Sequence, residues 1–488
     1  MTVQLISIGN SANDGTGSDP RSAGVIMNDN TLRLDRRAGR ANVRPTLLRD
    51  GDSKTSEPFY GFQWANSRFP MNIRAGLAVA GGAIGGSGTA ATQNGSINNL
   101  LWPARLSAMK ADVLARTTAG QIVDMILTIG TNDMSGVTGA GALSSETVIA
   151  NISKYFREFR ASGGRTLWLM SVDPRDTVSD VKLAAYNAAY KLFAASTEGV
   201  RYIDTTPYLI DPLDSTGCLG STGAAQFSSM DSVGLHCSSY GTYLKSFAVE
   251  KAFRSFYEPL DIIGMDAADA LDDTNAPRGN ILSRTTGGLT GLGRTTRIGG
   301  TDSTTKNDTS SVTGTPPLGY TMTGTLSGTM NIAFSLVTCP KLKAYIGTGA
   351  PGDFTGVAIT FSGTPSANGE FSMSRFVLTP AYGTTLIELA TLFECDNLSG
   401  NFGIIVKPQN YSGPDTNGLT LGGGQGANDQ LPTLNGLFNP RLIMEPTTAT
   451  NTGAGLIMRW RAGVPMSGSL ILIGISMKAE LPLPAVPA

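Results

Sequence analysis

Histidine is nearly absent from this chain, whose 488 residues include one, His236, and only four cysteines. The cysteines stand singly, without CxxC or any other zinc-ligand spacing, which argues against a metal site built from histidine and cysteine. Structural thiols are the better interpretation of these four positions, Cys218, Cys237, Cys339 and Cys395. We therefore expect neither a metal nor a cofactor.

Charge is also scarce. Charged residues make up 15% of the chain and the net charge is −1, whereas an average soluble protein has roughly 25% charged residues. No long cluster of Lys and Arg is present, which argues against nucleic acid or an anionic membrane as partner. No window approaches the roughly 18 apolar residues of a membrane span, so we expect no membrane insertion. The first residues, MTVQLISIGNSANDG, lack the basic and apolar segments of a secretory signal peptide.

Glycine is abundant instead, with 60 residues, and the chain divides into three segments of different texture. Residues 1–44 are polar and rich in turn residues, which is typical of a flexible polar arm. Residues 45–262 alternate apolar runs with amphipathic stretches, which predicts an α/β domain with a doubly wound parallel sheet. Residues 263–488 contain short apolar runs between Gly, Thr, Pro and Asn clusters, which predicts an all-β sandwich resembling a jelly roll.

Four short polar blocks of the middle segment fall at the ends of predicted strands or before a predicted helix. They are Gly51-Asp52-Ser53, Gly81-Gly82, Gly130-Thr131-Asn132-Asp133, and the stretch from Asp231 to His236 that precedes the last helix. Ligands of open parallel sheets bind beyond the carboxyl ends of the strands. The four blocks are therefore expected to converge on one edge of the sheet.

These blocks resemble, in order, the four blocks of the SGNH (GDSL-type) hydrolases. The resemblance implies that Ser53 is a nucleophile and that His236 acts first as its general base and then as an acid toward the leaving alcohol. It also implies an oxyanion hole made of the Ser53 backbone N–H, the Gly81 N–H and the Asn132 side-chain amide, with Gly82 left open as the alternative to Gly81. The chemistry fits, because a serine hydroxyl needs a base and imidazole titrates near neutrality.

The acid of the triad departs from the family pattern. That pattern has an acid three residues before the histidine, but position 233 is Val, and the nearest acid is Asp231, five residues before. Asp231 is the candidate if the turn is simply longer. Otherwise the acid comes from elsewhere or is absent.

Other residues near these blocks have both structural and functional interpretations. Asp52 and Asp133 are expected to bond nearby backbone as turn-formers. The aromatic residues that follow the GDS block either line a sugar cleft or belong to the core; they are Phe59, Tyr60, Phe62 and Trp64.

The flanking segments carry a second resemblance. The stretch LISIGNSANDGTGSDP (Leu5–Pro20), followed by NDNTLR, is similar to the N-terminal segment of bacteriophage tail-fibre and tailspike proteins, which implies attachment to a virion through phage tail or baseplate proteins. The C-terminal segment resembles the carbohydrate-binding sandwiches appended to phage SGNH proteins. A long β-rich tail of low charge also suits a homotrimer.

Together these features favour a tailspike esterase that removes O-acetyl or other O-acyl groups from a host capsular polysaccharide or lipopolysaccharide O-antigen. Two alternatives remain open: a non-enzymatic receptor-binding spike with a decayed hydrolase fold, and a general esterase or lipase for small esters.

Overall fold

The structure is a computed structural model. The residues that it describes are 44–55, 61–80, 82, 84–94, 97–136, 140–174, 180–210, 229–230, 235–259, 298–346, 355–378, 387–409, 419–422, 430–444 and 451–479. The N-terminal segment up to residue 43 and Asp231 lie outside them.

A five-stranded parallel sheet forms the first region, in the order β2-β1-β5-β6-β7. Its strands are β1 (Thr46–Gly51), β2 (Arg74–Ala78), β5 (Val123–Thr128), β6 (Thr166–Met170) and β7 (Val200–Ile203). A two-stranded hairpin of β3 (Gln93–Asn94) and β4 (Ile97–Asn98) lies outside this sheet. The chain moves from β1 outward to β2 and then returns to the other side of β1 with β5. This reversal is the topological switch point at which open α/β sheets bind ligands.

Helices cover both faces of the sheet. They are α1 (Phe62–Arg68), α2 (Pro103–Thr118), α3 (Thr131–Ser135), α4 (Ser145–Ala161), α5 (Asp180–Ser196), α6 (Thr206–Leu209) and α7 (Ser239–Arg254). One apolar core joins the sheet to α2, α4 and α5, and a second joins it to α1 and α7. The predicted α/β region with a parallel sheet is therefore present. Among the described residues, no helix has both the length and the apolar character needed to cross a membrane.

Two seven-stranded sheets form the second region, and most of their pairs are antiparallel. The first has the order β10-β12-β13-β21-β15-β18, with β19 also paired to β15; the second has the order β17-β16-β20-β14-β11-β8, with β9 also paired to β11. The strands are β8 (Thr301–Asp302), β9 (Thr305–Lys306), β10 (Ser311–Thr313), β11 (Thr321–Leu326), β12 (Asn331–Thr338), β13 (Thr355–Ser362), β14 (Gly369–Leu378), β15 (Ile387–Ser399), β16 (Asn401–Gln409), β17 (Leu419–Gly422), β18 (Leu434–Phe438), β19 (Arg441–Met444), β20 (Asn451–Trp460) and β21 (Ser467–Ala479). One short helix, α8 (Pro340–Ile346), lies between β12 and β13.

Apolar side chains from both sheets share one core, so the predicted sandwich is present as well. Phe361 of one sheet stacks on Phe371 of the other, with ring centroids 5.9 Å apart. Trp64 of α1 joins the same core: its ring meets Tyr243 of α7 at 5.2 Å and Phe438 of β18 at 5.9 Å, both edge to face. The α/β region and the sandwich are therefore packed on each other through α1 and α7.

Candidate active site

The turn after β1 presents Ser53. Gly51 has φ +135°, and a side chain there would lie 1.9 Å from the Thr128 carbonyl oxygen, so glycine is required. That carbonyl accepts hydrogen bonds from the Asp52 N–H (3.0 Å) and the Thr55 hydroxyl (3.0 Å). Ser53 is partly exposed while its neighbours in the turn are buried. The turn is therefore anchored to β5 and offers one hydroxyl to solvent.

His236 faces this hydroxyl from the segment before α7. Its Nε2 lies 2.9 Å from Ser53 Oγ, within hydrogen-bonding distance. The segment that carries His236 is held by backbone contacts to residues 229–230. Cys237 forms an antiparallel bridge with Met230, and the Ser238 N–H donates to the Ser229 carbonyl at 3.1 Å. Ser238 also caps α7, since its hydroxyl accepts from the Gly241 N–H at 2.9 Å. The structure thus brings together two of the predicted site residues that are 183 positions apart.

Asn132 lies at the carboxyl end of β5, the neighbour of β1. Gly130 makes the turn into α3 with φ +108°, at a point where a side chain would lie 2.4 Å from the Tyr190 hydroxyl. The Asn132 side-chain Nδ2 donates to the Ser87 carbonyl oxygen at 2.9 Å. An amide Nδ2 carries two hydrogens, so this bond orients the amide and leaves it a second hydrogen.

The glycine block falls partly outside the described residues. Gly81 lies outside them, whereas the Gly82 N–H donates to the Val79 carbonyl at 2.8 Å and is thereby committed to a local turn. Gly85, which sequence reasoning missed, lies beside the nucleophile: a side chain there would meet Ser53 Cβ at 3.9 Å. The run AIGGSGT after Gly82 was the available signal.

The loop around Gly85 is fixed by buried polar residues. Ser87 accepts from the Arg105 guanidinium at 2.9 Å through its hydroxyl and from Asn132 through its carbonyl. The Asp133 carboxylate accepts from the Thr89 N–H at 3.0 Å and from its hydroxyl at 3.1 Å. The loop is therefore tied both to Asn132 and to the residue that follows it.

Arg105, also missed by sequence reasoning, links this loop to β1. Its guanidinium pairs with the Asp50 carboxylate at 2.6 Å and donates to the Gly51 carbonyl at 2.7 Å, and both charged side chains are fully buried. The Tyr155 hydroxyl donates to the same carboxylate, and burial, with the Asp50 charge next, raises the pKa of Tyr155 well above its ordinary value. The phenol is thus a fixed hydrogen-bond donor behind the nucleophile turn.

Two acidic side chains beside the site are hard to ionise. Burial raises the pKa of Asp52 to about 6, against the opposing effect of Lys54. Burial also raises the pKa of Asp133 to about 6, against the hydrogen bonds from Thr89. Asp52 acts as the expected turn-former, since its carboxylate accepts from the Lys54 N–H at 2.9 Å. Asp133 instead bonds a distant loop, through Thr89.

Some predicted residues have other outcomes. Phe62 and Trp64 are 2% and 1% exposed, so they belong to the core and do not line a sugar cleft. Phe59 and Tyr60 lie outside the described residues, as does Asp231. Within the described part of the chain, no group of three or more His, Cys, Asp or Glu side chains is arranged to hold a metal ion.

No family model matches the chain, and no curated protein matches it. Among solved structures, one described as a platelet activating factor from Streptococcus pneumonia is 18% identical over 48% of this chain and 99% of its own, with a TM-score of 0.29. The enzymatically active domain of Bacteriophage CBA120 tailspike protein 4 is 11% identical over 33% of this chain, with a TM-score of 0.21; the match spans only 19% of that tailspike domain.

A third similar structure is the Family 11 carbohydrate-binding module from Clostridium thermocellum in complex with a mixed-linked tetrasaccharide. It is 9% identical over 33% of this chain and 88% of its own, with a TM-score of 0.19. All three likenesses are weak and partial. The assignment of a function therefore depends on the site itself.

Proposed function

We propose that this protein is a serine esterase of the SGNH type, with Ser53 as nucleophile and His236 as general base. The observation that carries the proposal is the 2.9 Å contact between Ser53 Oγ and His236 Nε2. It lies beyond the carboxyl ends of β1 and β5, where the strand order reverses. Both side chains keep partial exposure, as a substrate requires.

In this mechanism, Nε2 of His236 takes the proton from Ser53 Oγ as the oxygen attacks the ester carbonyl. The resulting imidazolium returns the proton to the leaving alcohol, and an acyl group remains on Ser53. Water attacks this acyl group with His236 again as base, which releases the carboxylic acid and regenerates the serine. Every proton passes through the single histidine of the chain.

The tetrahedral intermediate needs hydrogen-bond donors for its oxyanion. We assign the Ser53 N–H and the second hydrogen of Asn132 Nδ2, whose first hydrogen is held by Ser87. The third donor was expected at Gly81 or Gly82. Because the Gly82 N–H bonds Val79, the candidates that remain are Gly81 and Gly85. A Cβ at Gly85 would lie 3.9 Å from Ser53 Cβ.

Asp231 remains the proposed acid that orients His236. Supporting this, Met230 pairs with Cys237, so the position just before Asp231 is adjacent to the position just after His236. Asp231→Asn is expected to lower kcat by about 10⁴-fold, the loss typical of a triad acid. Steady-state kinetics on an aryl acetate measures this, and retention of half the activity would place the acid elsewhere. Asp204→Asn, an exposed aspartate after β7, is the control.

The biological setting is proposed from the flanking segments. Residues 1–44 would attach the protein to a phage tail, residues 45–262 would carry the esterase, and residues 263–488 would bind glycan and form a homotrimer. The substrate would be an O-acetylated capsular polysaccharide or O-antigen. Remote contacts to the glycan would present an ester to Ser53 at high effective concentration.

The test is acetate release from purified host polysaccharide by the full chain and by Ser53→Ala. Proton NMR of the polymer and its size distribution are recorded together, because the proposed site cleaves acyl groups and not glycosidic bonds. Loss of acetyl signals at constant chain length, absent with Ser53→Ala, supports the proposal. Binding without release would favour the non-enzymatic spike, and turnover of short esters alone would favour the general esterase.

A further inference from the structure

A second group of charged side chains is buried behind Ser53 and His236. It consists of Asp52, Lys54, Asp173 and Lys245, each at most 1% exposed. Within it, Lys245 Nζ lies 2.8 Å from Asp173 Oδ2, and both side chains are fully buried. Burying such a pair removes much of its hydration and is often no more stabilising than an apolar pair. Fold stability alone is therefore a weak reason for its presence.

Asp173 contacts the segment that carries His236. It follows β6, and its Oδ2, besides pairing with Lys245 of α7, accepts from the Cys237 thiol at 3.6 Å. Its Oδ1 accepts from the Thr205 hydroxyl at 3.2 Å, which fixes the carboxylate from the β7 side. Since Cys237 directly follows His236, the carboxylate holds the chain one residue from the imidazole.

The same cluster contacts the turn that carries Ser53. Lys54 Nζ donates to the carbonyl of Pro174, the residue after Asp173, at 3.4 Å. Lys54 N–H also donates to Asp52, so the residues on both sides of Ser53 are linked. The segment at 173–174 therefore contacts both Lys54, the residue after the nucleophile, and Cys237, the residue after the general base.

We propose that Asp173 and Lys245 are positioning residues for the esterase reaction: by holding Cys237 and the segment that binds Lys54, they set the approach of His236 to Ser53. Neither residue touches the reacting atoms in this scheme. The proposal rests on the proposed function, and it adds two residues that none of the four sequence blocks contains.

The cluster also sets the charge around the site. Burial raises the pKa of Asp52 first of all, Lys54 and Lys245 lower it, and Asp173 raises it; Tyr190 of α5 interacts with Asp52 as well. Removing Lys245 makes the surroundings more negative and removing Asp173 makes them more positive. The pKa of Asp52 should therefore rise in Lys245→Met and fall in Asp173→Asn.

The experiment compares these two single variants with the double variant in the full chain. Each single variant leaves a buried charge unpaired and should unfold at lower temperature, whereas the double variant should recover much of that loss. We expect kcat to fall about 100-fold in all three with KM unchanged within about twofold, because small displacements of catalytic groups have effects of that size. Recovered stability without recovered kcat separates positioning from a structural role.

The control is the ion pair of Asp124 and Arg165, 2.5 Å apart at the opposite end of the sheet, with Asp124 fully buried and the Arg165 side chain 40% exposed. Its double variant, Asp124→Asn with Arg165→Met, should lower the unfolding temperature and leave kcat unchanged. Equal losses of kcat in the control and the Asp173 and Lys245 variants would overturn the proposal, and so would full activity in the Asp173 and Lys245 double variant.

A milder variant tests the same contact if the charge variants do not fold. Cys237→Ala removes the bond to Asp173 and should lower kcat about fivefold, the value of one modest hydrogen bond, while Cys237→Ser should restore it. Equal activity of the two would overturn the proposal.

A crystal structure of the double variant of Asp173 and Lys245 tests the positioning role without any measurement of turnover. A longer distance between Ser53 Oγ and His236 Nε2 supports the positioning role, and an unchanged distance overturns it. If wild type hydrolyses no ester, the proposed function fails, and this distance still decides whether the pair positions His236.

Discussion

The α/β region and the sandwich bury their residues differently. Among the described residues, nine charged side chains are buried in the α/β region and two in the sandwich: Asp50, Asp52, Lys54, Arg74, Arg105, Asp124, Asp133, Asp173 and Lys245, against Glu394 and Arg441. The other buried polar residues in the described part of the sandwich are uncharged: Ser327, Ser374, Thr391, Asn401, Gln430 and Asn439. Buried charge is expensive unless it is paired, so its concentration in one region indicates where the chain keeps groups for a purpose other than packing.

The nine buried charges of the α/β region are also concentrated in one part of it. Most of them lie at the carboxyl ends of β1, β5 and β6 or contact the residues there. The two in the sandwich have local tasks: the Glu394 carboxylate accepts from the Leu342 N–H at the start of α8, and Arg441 donates to the Asn439 side chain. Chemistry is thus expected from the first region.

The largest effect on kcat is expected from replacing Ser53 or His236 in the α/β region. Ser53→Ala and His236→Ala should each lower kcat by about 10⁴-fold or more, because nucleophile and base act as one unit. Turnover of an aryl acetate measures this, and the unfolding temperature should stay within a few degrees of wild type. Ser335→Ala, an exposed serine of the sandwich strand β12, is the control. Turnover retained by either variant would contradict the assignment.

The second prediction asks whether the two regions are independent. Trp64 belongs to the chain of the α/β region and to the core of the sandwich. Trp64→Ala should reduce the free energy of unfolding by about 3–5 kcal/mol, as for other buried aromatic residues, and calorimetry should show both regions affected. Trp64→Phe, which keeps an aromatic ring against Tyr243 and Phe438, should lose less. Unchanged melting of the sandwich in Trp64→Ala would show that the regions are independent modules.

The secondary structure and the site show what the sequence could and could not predict. The alternation of strands and helices in residues 45–262 was predicted, because apolar periodicity and helix caps are local signals. The Ser53 and His236 blocks were expected at one edge of the sheet because the first follows a predicted strand and the second precedes the last predicted helix. Their pairing as nucleophile and base was implied by the resemblance to SGNH hydrolases. Helix α1 has only seven residues, too few for a periodic pattern, and it was not predicted.

Ion pairs between residues that are distant in the chain could not be predicted either. Arg105 and Asp50 are 55 residues apart, and Lys245 and Asp173 are 72 apart. In the sequence each of them is an ordinary charged residue on a helix or after a strand. Only the fold shows that both pairs are buried behind the site. The role of Asp231 stays a prediction.

The third prediction uses pH and has opposite signs in the two regions. The pKa of Asp52 is raised by burial to about 6 in the folded state, so Asp52 is mostly neutral in both states only below about pH 3 and destabilises the fold as the pH rises toward 6. Asp52→Asn should therefore stabilise the protein above pH 6, by up to about 3 kcal/mol, and have little effect below about pH 3.

Asp302 of the sandwich is the matched contrast. Burial tends to raise its pKa, but the bonds from Lys306 and Thr304 outweigh burial and lower it. Its stabilising contribution is present above its unfolded pKa and is lost as the pH falls through the folded value. Asp302→Asn should thus destabilise the protein at neutral pH and not in acid. Urea unfolding at several pH values measures both variants, and the same sign for both would contradict this account.

The smallest effects are expected for shortening the N-terminal segment and for replacing Arg44, which contacts the sandwich. A chain that begins at Asn42 should keep esterase activity within about twofold, because a polar, Gly-rich arm cannot bury a core of its own. It should fail to enter virions if residues 1–44 are the attachment arm.

This shortened chain retains Arg44, whose guanidinium pairs with Glu388 at 3.1 Å. In the full chain, Arg44→Gln should reduce the free energy of unfolding by only about 1 kcal/mol, since Glu388 also lies 3.7 Å from Arg441. Urea unfolding with Glu388→Gln as the paired variant tests this. A loss of activity on shortening that Arg44→Gln does not reproduce would make the arm part of the catalytic region.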